Sequence, residues 1–249
     1  MDLTDQASVT SSVGKTVNAT LENRTLYTDG YWNTLCLPFD LNSFANTPLE
    51  GAQVKELTAA QYTSDNGELS LTFSDRTSIT AGKPYIVKWD DKNGTIDDIQ
   101  SPFFPGVRIS DHLTTFTSED EYLTFTGIFD PKSFAEDDRS VLYLGSYDRL
   151  YWPGAGVNIG AFRAYFQLNN GLTVNPNIQD GNNPNLTNGQ QSIRSFSLNF
   201  NDNESTGIIE IVNDKKAETG WYTLDGRKLM ERPAQKGIYI MNGKKVVIQ

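Results

Sequence analysis

Short stretches in which apolar and polar residues alternate recur along most of this chain. In residues 31–41, the alternating members Leu35, Leu37, Phe39 and Leu41 would share one face of an extended strand. The same alternation returns in residues 69–73, 85–89, 122–129, 141–145, 162–168 and 196–200. This pattern is typical of strands with one buried face, and it predicts a chain built mainly from β-strands.

Turn-forming residues separate these short segments at fairly regular intervals. Many short strands between such turns predict an all-β fold, an antiparallel β-sandwich, with jelly-roll-like connections as one option. Residues 1–16 show no periodicity and are expected to be a flexible lead-in. Residues 17–206 would then form the sandwich body, and residues 207–249 a small C-terminal β appendage.

The C-terminal appendage has its own hairpin signals. Three apolar runs in the last thirty residues are separated by Asp225-Gly226 and Asn242-Gly243. These two dipeptides are the strongest short-range hairpin signals when apolar runs flank them. We therefore expect three short strands joined by tight turns. Three strands are too few to be stable alone, so they must pack on the body or on a partner, or stay mobile.

Composition narrows the possible functions of the chain. Its 249 residues are 37% hydrophobic, but 28 of them are aromatic, which supplies enough apolar area for a sizeable core. The formal net charge of the chain is −10. Residues 215–249 hold eight basic and three acidic side chains, so their net charge is +5 and that of residues 1–214 is −15. An acidic body repels phosphate backbones, so nucleic acid is not an expected partner.

Cysteine usage and hydropathy bear on location. Cys36 is the only cysteine, so the chain forms no internal disulfide, and its apolar surroundings predict a small buried side chain. No apolar run approaches the ~20 residues that a membrane-spanning helix needs. The first residues lack a signal-peptide pattern, so the chain is expected either to be cytosolic or to follow an upstream region, and we favour the second.

Several segments together resemble a known kind of protein. The segments WNTLCLPFDL, AGKPYIVKW, LYWPGAGVNIGAFRAYFQL and GWYTLDGRKL, with the closing GIYIMNGKKVVI, are similar to a C-terminal region of secreted or cell-surface proteins from Bacteroides- and Prevotella-type bacteria. The last strands also resemble the end of the sorting domain of type IX secretion. The resemblance implies an all-β fold and a secreted or cell-surface location, and it implies no catalytic residues.

Catalytic patterns are sparse. The single histidine, His112, lies in a polar stretch, and no nucleophile motif accompanies it, so it predicts an exposed surface residue. Two carboxylates across a cleft would suffice for glycoside hydrolysis. The acidic clusters Asp90-Asp91, Glu119–Glu121 and Glu136–Asp138 fall in predicted turns, where solvated acids are ordinary. We therefore expect a non-enzymatic protein, with a carboxylate-dependent carbohydrate-active enzyme as an alternative.

Two acidic stretches offer hard oxygen ligands of the kind that calcium prefers. These are Asp137 with Asp138, and Asp202 with Glu204. Neither matches the spacing of an EF-hand loop. Calcium is thus a candidate cofactor at these residues, and no other cofactor is expected.

The strongest recognition signal is aromatic. Tyr147, Tyr151 and Trp152 could stack on the apolar faces of sugar rings, while Asp148 and Arg149 could bond to sugar hydroxyls. The alternative is that alternate aromatics in this stretch face the core.

These patterns lead to a functional expectation for the whole chain. We expect the chain to be a surface-associated β-sandwich module that acts in adhesion, in glycan or protein binding, or as the structural end of a larger surface protein. The alternative is that the C-terminal region serves in secretion sorting or in anchoring.

Overall fold

The computed structural model of the protein describes residues 1–90, 95–175 and 191–200 in full, together with the backbone of six short strands between residues 209 and 248. Within these residues the chain is nearly all β, as the alternation predicted. One α-helix, α1 (Gln6–Thr10), and one 3-10 turn, Ser146–Asp148, are the helical elements of the described chain. Most strands are short, and the longest, of 11 residues, spans Gln53–Thr63.

The strands are numbered in chain order. Those of the first hundred residues are β1 (Asp2–Leu3), β2 (Thr16–Leu21), β3 (Thr25–Leu26), β4 (Asn33–Cys36), β5 (Gln53–Thr63), β6 (Glu68–Asp75), β7 (Pro84–Lys88) and β8 (Ile99–Gln100). The next are β9 (Phe103–Arg108), β10 (Phe116–Thr117), β11 (Leu123–Ile128), β12 (Lys132–Phe134), β13 (Val141–Leu144), β14 (Leu150–Trp152), β15 (Val157–Ile159), β16 (Arg163–Leu168), β17 (Thr173–Val174), β18 (Ser192–Ile193) and β19 (Ser195–Phe200). The last are β20 (Ile209–Glu210), β21 (Val212–Asn213), β22 (Trp221–Thr223), β23 (Lys228–Leu229), β24 (Gly237–Met241) and β25 (Lys244–Ile248).

Two six-stranded sheets form the centre of the fold. One has the order β20-β19-β6-β5-β7-β4 and the other the order β10-β11-β16-β13-β14-β21. Most neighbouring strands are antiparallel, while β19 runs parallel to β6 and β21 parallel to β14. Apolar side chains of both sheets meet in one core cluster, in which Phe125 and Phe166 stack with ring centroids 4.5 Å apart. This arrangement confirms the predicted all-β sandwich.

A second core cluster covers the opposite face of β4 and β7. Tyr85, Val87 and Trp89 belong to this second cluster, whereas Ile86 belongs to the core between the two large sheets. The alternation in residues 85–89 therefore predicted the two faces of this strand correctly. Leu35, Leu37, Phe39 and Leu41 also share the second cluster, as expected, but β4 ends at Cys36, so the predicted strand over residues 31–41 is shorter than expected.

The segment 1–16 corrects the sequence-based expectation, because it is not a flexible lead-in. Strand β1 runs parallel to β2 and pairs Leu3 with Leu21, and helix α1 follows it. Asp5 caps that helix by accepting a hydrogen bond from the Ser8 N–H at 2.8 Å. Leu3 and Val9 are both fully buried in the second cluster. A two-residue strand and a five-residue helix are too short to produce a readable period, which is why the pattern missed them.

The C-terminal strands pair in two different ways. Strands β20 and β21 extend the two large sheets, whereas β22, β23, β24 and β25 pair with one another in a four-stranded antiparallel sheet of order β23-β22-β24-β25. The expected three strands are present, and the two-residue β23 adds a fourth. Asp225-Gly226 and Asn242-Gly243, the predicted turns, lie outside the described residues. The proposed boundary at residue 207 stays a prediction.

Candidate functional site

One aromatic-lined depression stands out on the described surface. It has a volume of about 440 Å³ and is lined by residues of three chain segments, 27–34, 143–146 and 157–164. Three tyrosines, Tyr27, Tyr31 and Tyr143, line it, and we call it the tyrosine cleft. Its volume falls within the ordinary range of small-ligand sites. A larger depression of about 560 Å³ is lined by segments 40–47 and 105–110 and has no aromatic ring in its lining.

Hydrogen bonds preorganise the loop that carries two of these tyrosines. The Asn33 side chain donates to the Tyr27 carbonyl at 2.8 Å and accepts from the Tyr27 N–H at 2.9 Å. Thr28, which follows Tyr27, donates its N–H to the Asp98 side chain at 3.0 Å. These bonds hold the loop at both ends, so a ligand would not have to order it on binding. Tyr27 stays 47% exposed and presents its ring to solvent.

The predicted recognition residues lie beside this cleft rather than in it. Tyr147 is 38% exposed and packs edge-on against Tyr31, with ring centroids 5.1 Å apart. Asp148 accepts a hydrogen bond from the Trp32 N–H at 2.7 Å, which ties this turn to the loop of the cleft. Arg149 is exposed. Tyr147 and Asp148 therefore support lining residues of the cleft from outside it.

Trp152 behaves differently from the prediction that it stacks on sugars, whereas for Tyr151 that role stays a prediction. Trp152 is only 3% exposed and belongs to the core between the large sheets, where the Arg139 guanidinium lies 5.7 Å from its ring centroid. Tyr151 is half-buried and stacks on Tyr143 with centroids 5.8 Å apart. The core-facing alternative is thus correct for Trp152. Alternate residues of β14 point to opposite faces, so the buried face takes the indole.

Tyr31 of the cleft is a protonated hydrogen-bonding group at neutral pH. Burial raises the pKa of Tyr31, and the charges of Tyr147, Asp148 and Asp29 act in the same direction. Burial also raises the pKa of Tyr151 behind Tyr143. A neutral phenol both donates and accepts a hydrogen bond, and its ring face remains apolar. The cleft therefore combines flat apolar surfaces with hydroxyl groups.

Sequence reasoning missed Tyr27, Tyr31, Tyr143 and Arg163 as lining residues. The segment YTDGYWN, which begins at Tyr27, carries a weak signal, since two tyrosines flank an Asp-Gly turn. That signal identifies an aromatic loop, but it does not show which other segments close over it.

The predicted calcium ligands are only partly described. Asp138 uses Oδ1 to accept hydrogen bonds from the Ser140 N–H at 3.0 Å and from the Ser140 hydroxyl at 2.6 Å. Asp202 and Glu204 lie outside the described residues. Across residues 1–90, 95–175 and 191–200, no group of three or more His, Cys, Asp or Glu side chains is arranged to hold a metal ion. Calcium at these positions stays a prediction.

Residues considered for catalysis occupy ordinary positions. His112 is exposed, as predicted, and Cys36 is fully buried, where burial raises the pKa of its thiol. Of the acidic clusters, Asp90, Glu119, Glu121, Glu136 and Asp137 are exposed, and Asp91 lies outside the described residues.

Asp120 has a structural role in this acidic group. Its carboxylate accepts hydrogen bonds from the Ser118 hydroxyl at 2.5 Å, from the Tyr62 N–H at 3.0 Å and from the Tyr122 N–H at 3.1 Å. Burial acts to raise the pKa of Asp120, but these hydrogen bonds outweigh it and hold the pKa below its ordinary value. The charged form is therefore the one that stabilises the fold.

Replacing Asp120 by asparagine is expected to destabilise the protein at neutral pH, with the difference shrinking in acid. Because the folded pKa is lowered, the stabilisation is fully present above the unfolded pKa of about 3.9 and disappears as the pH falls through the folded value. Urea denaturation of both proteins between pH 7 and pH 3 measures this. The exposed neighbour Glu119→Gln is the control, and a stability difference for Asp120→Asn that stays constant with pH would contradict the argument.

Comparisons with family models, with curated proteins and with solved structures gave no match for this chain. Among the residues that the structure describes, no helix has the length and apolar character needed to cross a lipid bilayer.

Proposed function

We propose that this protein is a non-catalytic, surface-associated glycan-binding module and that the tyrosine cleft receives the sugar. The observation that carries the proposal is the grouping of Tyr27, Tyr31 and Tyr143 around one depression of about 440 Å³. Sugar rings have an apolar face and a rim of hydroxyl groups. Tyrosine rings cover such a face while their hydroxyls bond to the rim.

Polar groups beside the rings support the same ligand class. Asn158 lies exposed in the lining of the cleft, and Asp29 lines the opposite segment. These groups suit sugar hydroxyls because an amide both donates and accepts hydrogen bonds, while a carboxylate accepts them. The surface location rests on the resemblance of the chain to C-terminal regions of bacterial surface proteins.

Tyr27→Ala is expected to weaken glycan binding about tenfold or more, because it removes the most exposed ring of the cleft. The change leaves intact the hydrogen bonds of Asn33, since these involve only the Tyr27 backbone. A glycan array identifies a bound oligosaccharide, and titration calorimetry then compares the variant with the parent protein.

The matched control is Phe103→Ala. Phe103 is 51% exposed and does not line the tyrosine cleft, so its removal should leave affinity unchanged. Equal affinities for the parent and for Tyr27→Ala would place recognition elsewhere. An array on which no glycan binds would reject glycan recognition and favour a protein-binding or structural role.

The second candidate function is sorting or anchoring by the C-terminal region, and one observation favours it. Strands β22, β23, β24 and β25 pair among themselves and with no other strand of the described chain. A detachable signal would form such a unit of its own. A variant that lacks residues 215–249 separates the two roles: glycan binding should survive the truncation, whereas delivery to the cell surface should be lost. Normal delivery of the truncated chain would reject the sorting role.

A further inference from the structure

Two arginines, one in the lining of the tyrosine cleft and one bonded to a lining residue, have no acidic partner among the described residues. Arg163 lines the cleft and is half-buried, and its side chain makes no hydrogen bond or ion pair within the described residues. Arg24 is 1% exposed and donates to two backbone carbonyls, those of Thr25 at 2.5 Å and Thr34 at 2.6 Å. Its Nε is buried and has no hydrogen-bond partner.

Short contacts join these two arginines to the same part of the cleft. Thr34 lines the cleft, accepts from Arg24 through its carbonyl, and accepts from the Ala164 N–H through its hydroxyl at 3.2 Å. Ala164 follows Arg163 directly. Burial, and then the charge of Arg163, hold the pKa of Arg24 well below its ordinary value. Two positive groups are therefore concentrated where three chain segments meet.

This concentration of positive charge is costly unless something compensates for it. Charges removed from water are normally paired, and like charges that share a site raise the cost further. Asp29 is the carboxylate in the lining of the cleft, and it accepts a hydrogen bond from the Tyr31 N–H at 3.2 Å instead of pairing with Arg163. The whole chain has a formal net charge of −10, so acidic side chains that could pair with Arg163 are plentiful elsewhere in the sequence.

We infer that the tyrosine cleft binds an acidic glycan, one whose sugar carries a carboxylate, and that Arg163 pairs with that carboxylate while the tyrosines cover the ring. This inference rests on the proposed glycan-binding function and names its ligand class. The planar guanidinium group matches a carboxylate with two parallel hydrogen bonds, and such charge-assisted pairs are stronger than bonds to neutral hydroxyls. Arg24, which donates to the carbonyl of the lining residue Thr34, adds further positive charge beside the cleft.

The test uses the full chain and matched oligosaccharides. Each set contains three oligosaccharides that differ only in the terminal sugar. That sugar is a hexuronic acid, the corresponding neutral hexose, or the methyl ester of the acid. We expect the acid to bind about 10- to 100-fold more tightly than the neutral sugar and the ester. In Arg163→Gln this preference should disappear. Arg163→Lys should recover only part of it, because an ammonium group lacks the fork of the guanidinium.

The control is Arg108→Gln, which changes the net charge equally at an exposed residue outside the cleft. It should keep the full preference. Because the Arg163 side chain has no hydrogen bond or ion pair to lose within the described residues, and because its charge acts against that of Arg24, Arg163→Gln should melt at a temperature no lower than the parent protein.

The outcomes separate the inference from the function on which it rests. Equal binding of acid and neutral sugars, or a preference that survives Arg163→Gln, would overturn the acidic ligand while leaving glycan binding in place. A stronger preference for sulfated sugars than for uronic acids would overturn the assignment of a carboxylate. Absence of binding to every member would overturn both.

Discussion

Phe166→Ala is expected to lower the free energy of unfolding by about 3–5 kcal/mol, the usual range for removing a buried aromatic ring from a core. Phe166 is 1% exposed, and its ring stacks on the fully buried Phe125 at an interplanar angle of 16°. Both residues lie in the core between the two six-stranded sheets, so the cavity is lined by both layers. Since domains have about 5–15 kcal/mol of stability in total, this one change removes a large part of it.

Urea denaturation followed by tryptophan fluorescence measures the change, and Phe103→Ala is its matched control. The control removes the same atoms from a side chain that is 51% exposed, so it should change stability by no more than about 0.5 kcal/mol. If the alanine variant does not fold, Phe166→Leu retains most of the apolar volume and should show a smaller loss. Equal effects at the two phenylalanines would mean that the sheets do not close on Phe166.

The second large effect is expected at the N-terminus. Leu3→Ala should cost about 2–5 kcal/mol, because Leu3 is fully buried in the second core cluster with Val9 and Leu21. The backbone around it is also tied down: the Glu22 N–H donates to the Leu3 carbonyl at 2.9 Å, and the Thr20 N–H donates to the Met1 carbonyl at 2.8 Å. The first residues therefore act as part of the body.

Val13→Ala is the control for this prediction, since Val13 lies in the same stretch but is 44% exposed. Guanidinium denaturation of both variants measures their free energies of unfolding. The slope of that free energy against denaturant concentration shows whether cooperativity has changed. A Leu3→Ala variant as stable as Val13→Ala would show that the segment is detachable. That result would restore the flexible lead-in that the sequence pattern indicated.

The predictions that succeeded share a physical basis. Alternate side chains of a strand point to opposite faces. The order of apolar and polar residues in a segment such as residues 85–89 therefore predicts which side chains share a face. Turn residues mark where such segments stop. These are local properties, and they are enough to predict an all-β sandwich. They also predicted that Cys36 is buried and that His112 is exposed.

The candidate site shows where this local reasoning stops. The aromatic stretch at residues 147–152 was the best recognition signal, but Trp152 faces the core, and the cleft forms where the loop at 27–34 meets residues 143–146 and 157–164. Tyr27 and Arg163 are 136 positions apart in the chain. No local pattern relates two such residues, because their proximity depends on strand order.

The sequence by itself therefore determined the class of fold, the faces of strands such as the one at residues 85–89 and the absence of an internal disulfide, since each depends on residue type or on neighbours within a few positions. Tertiary structure alone decided three things: that residues 1–16 join the core, that Trp152 is buried, and that Tyr27, Tyr31, Tyr143 and Arg163 line one cleft. The reason is that sheet pairing brings distant segments together, and the charge and shape of a site exist only where they meet.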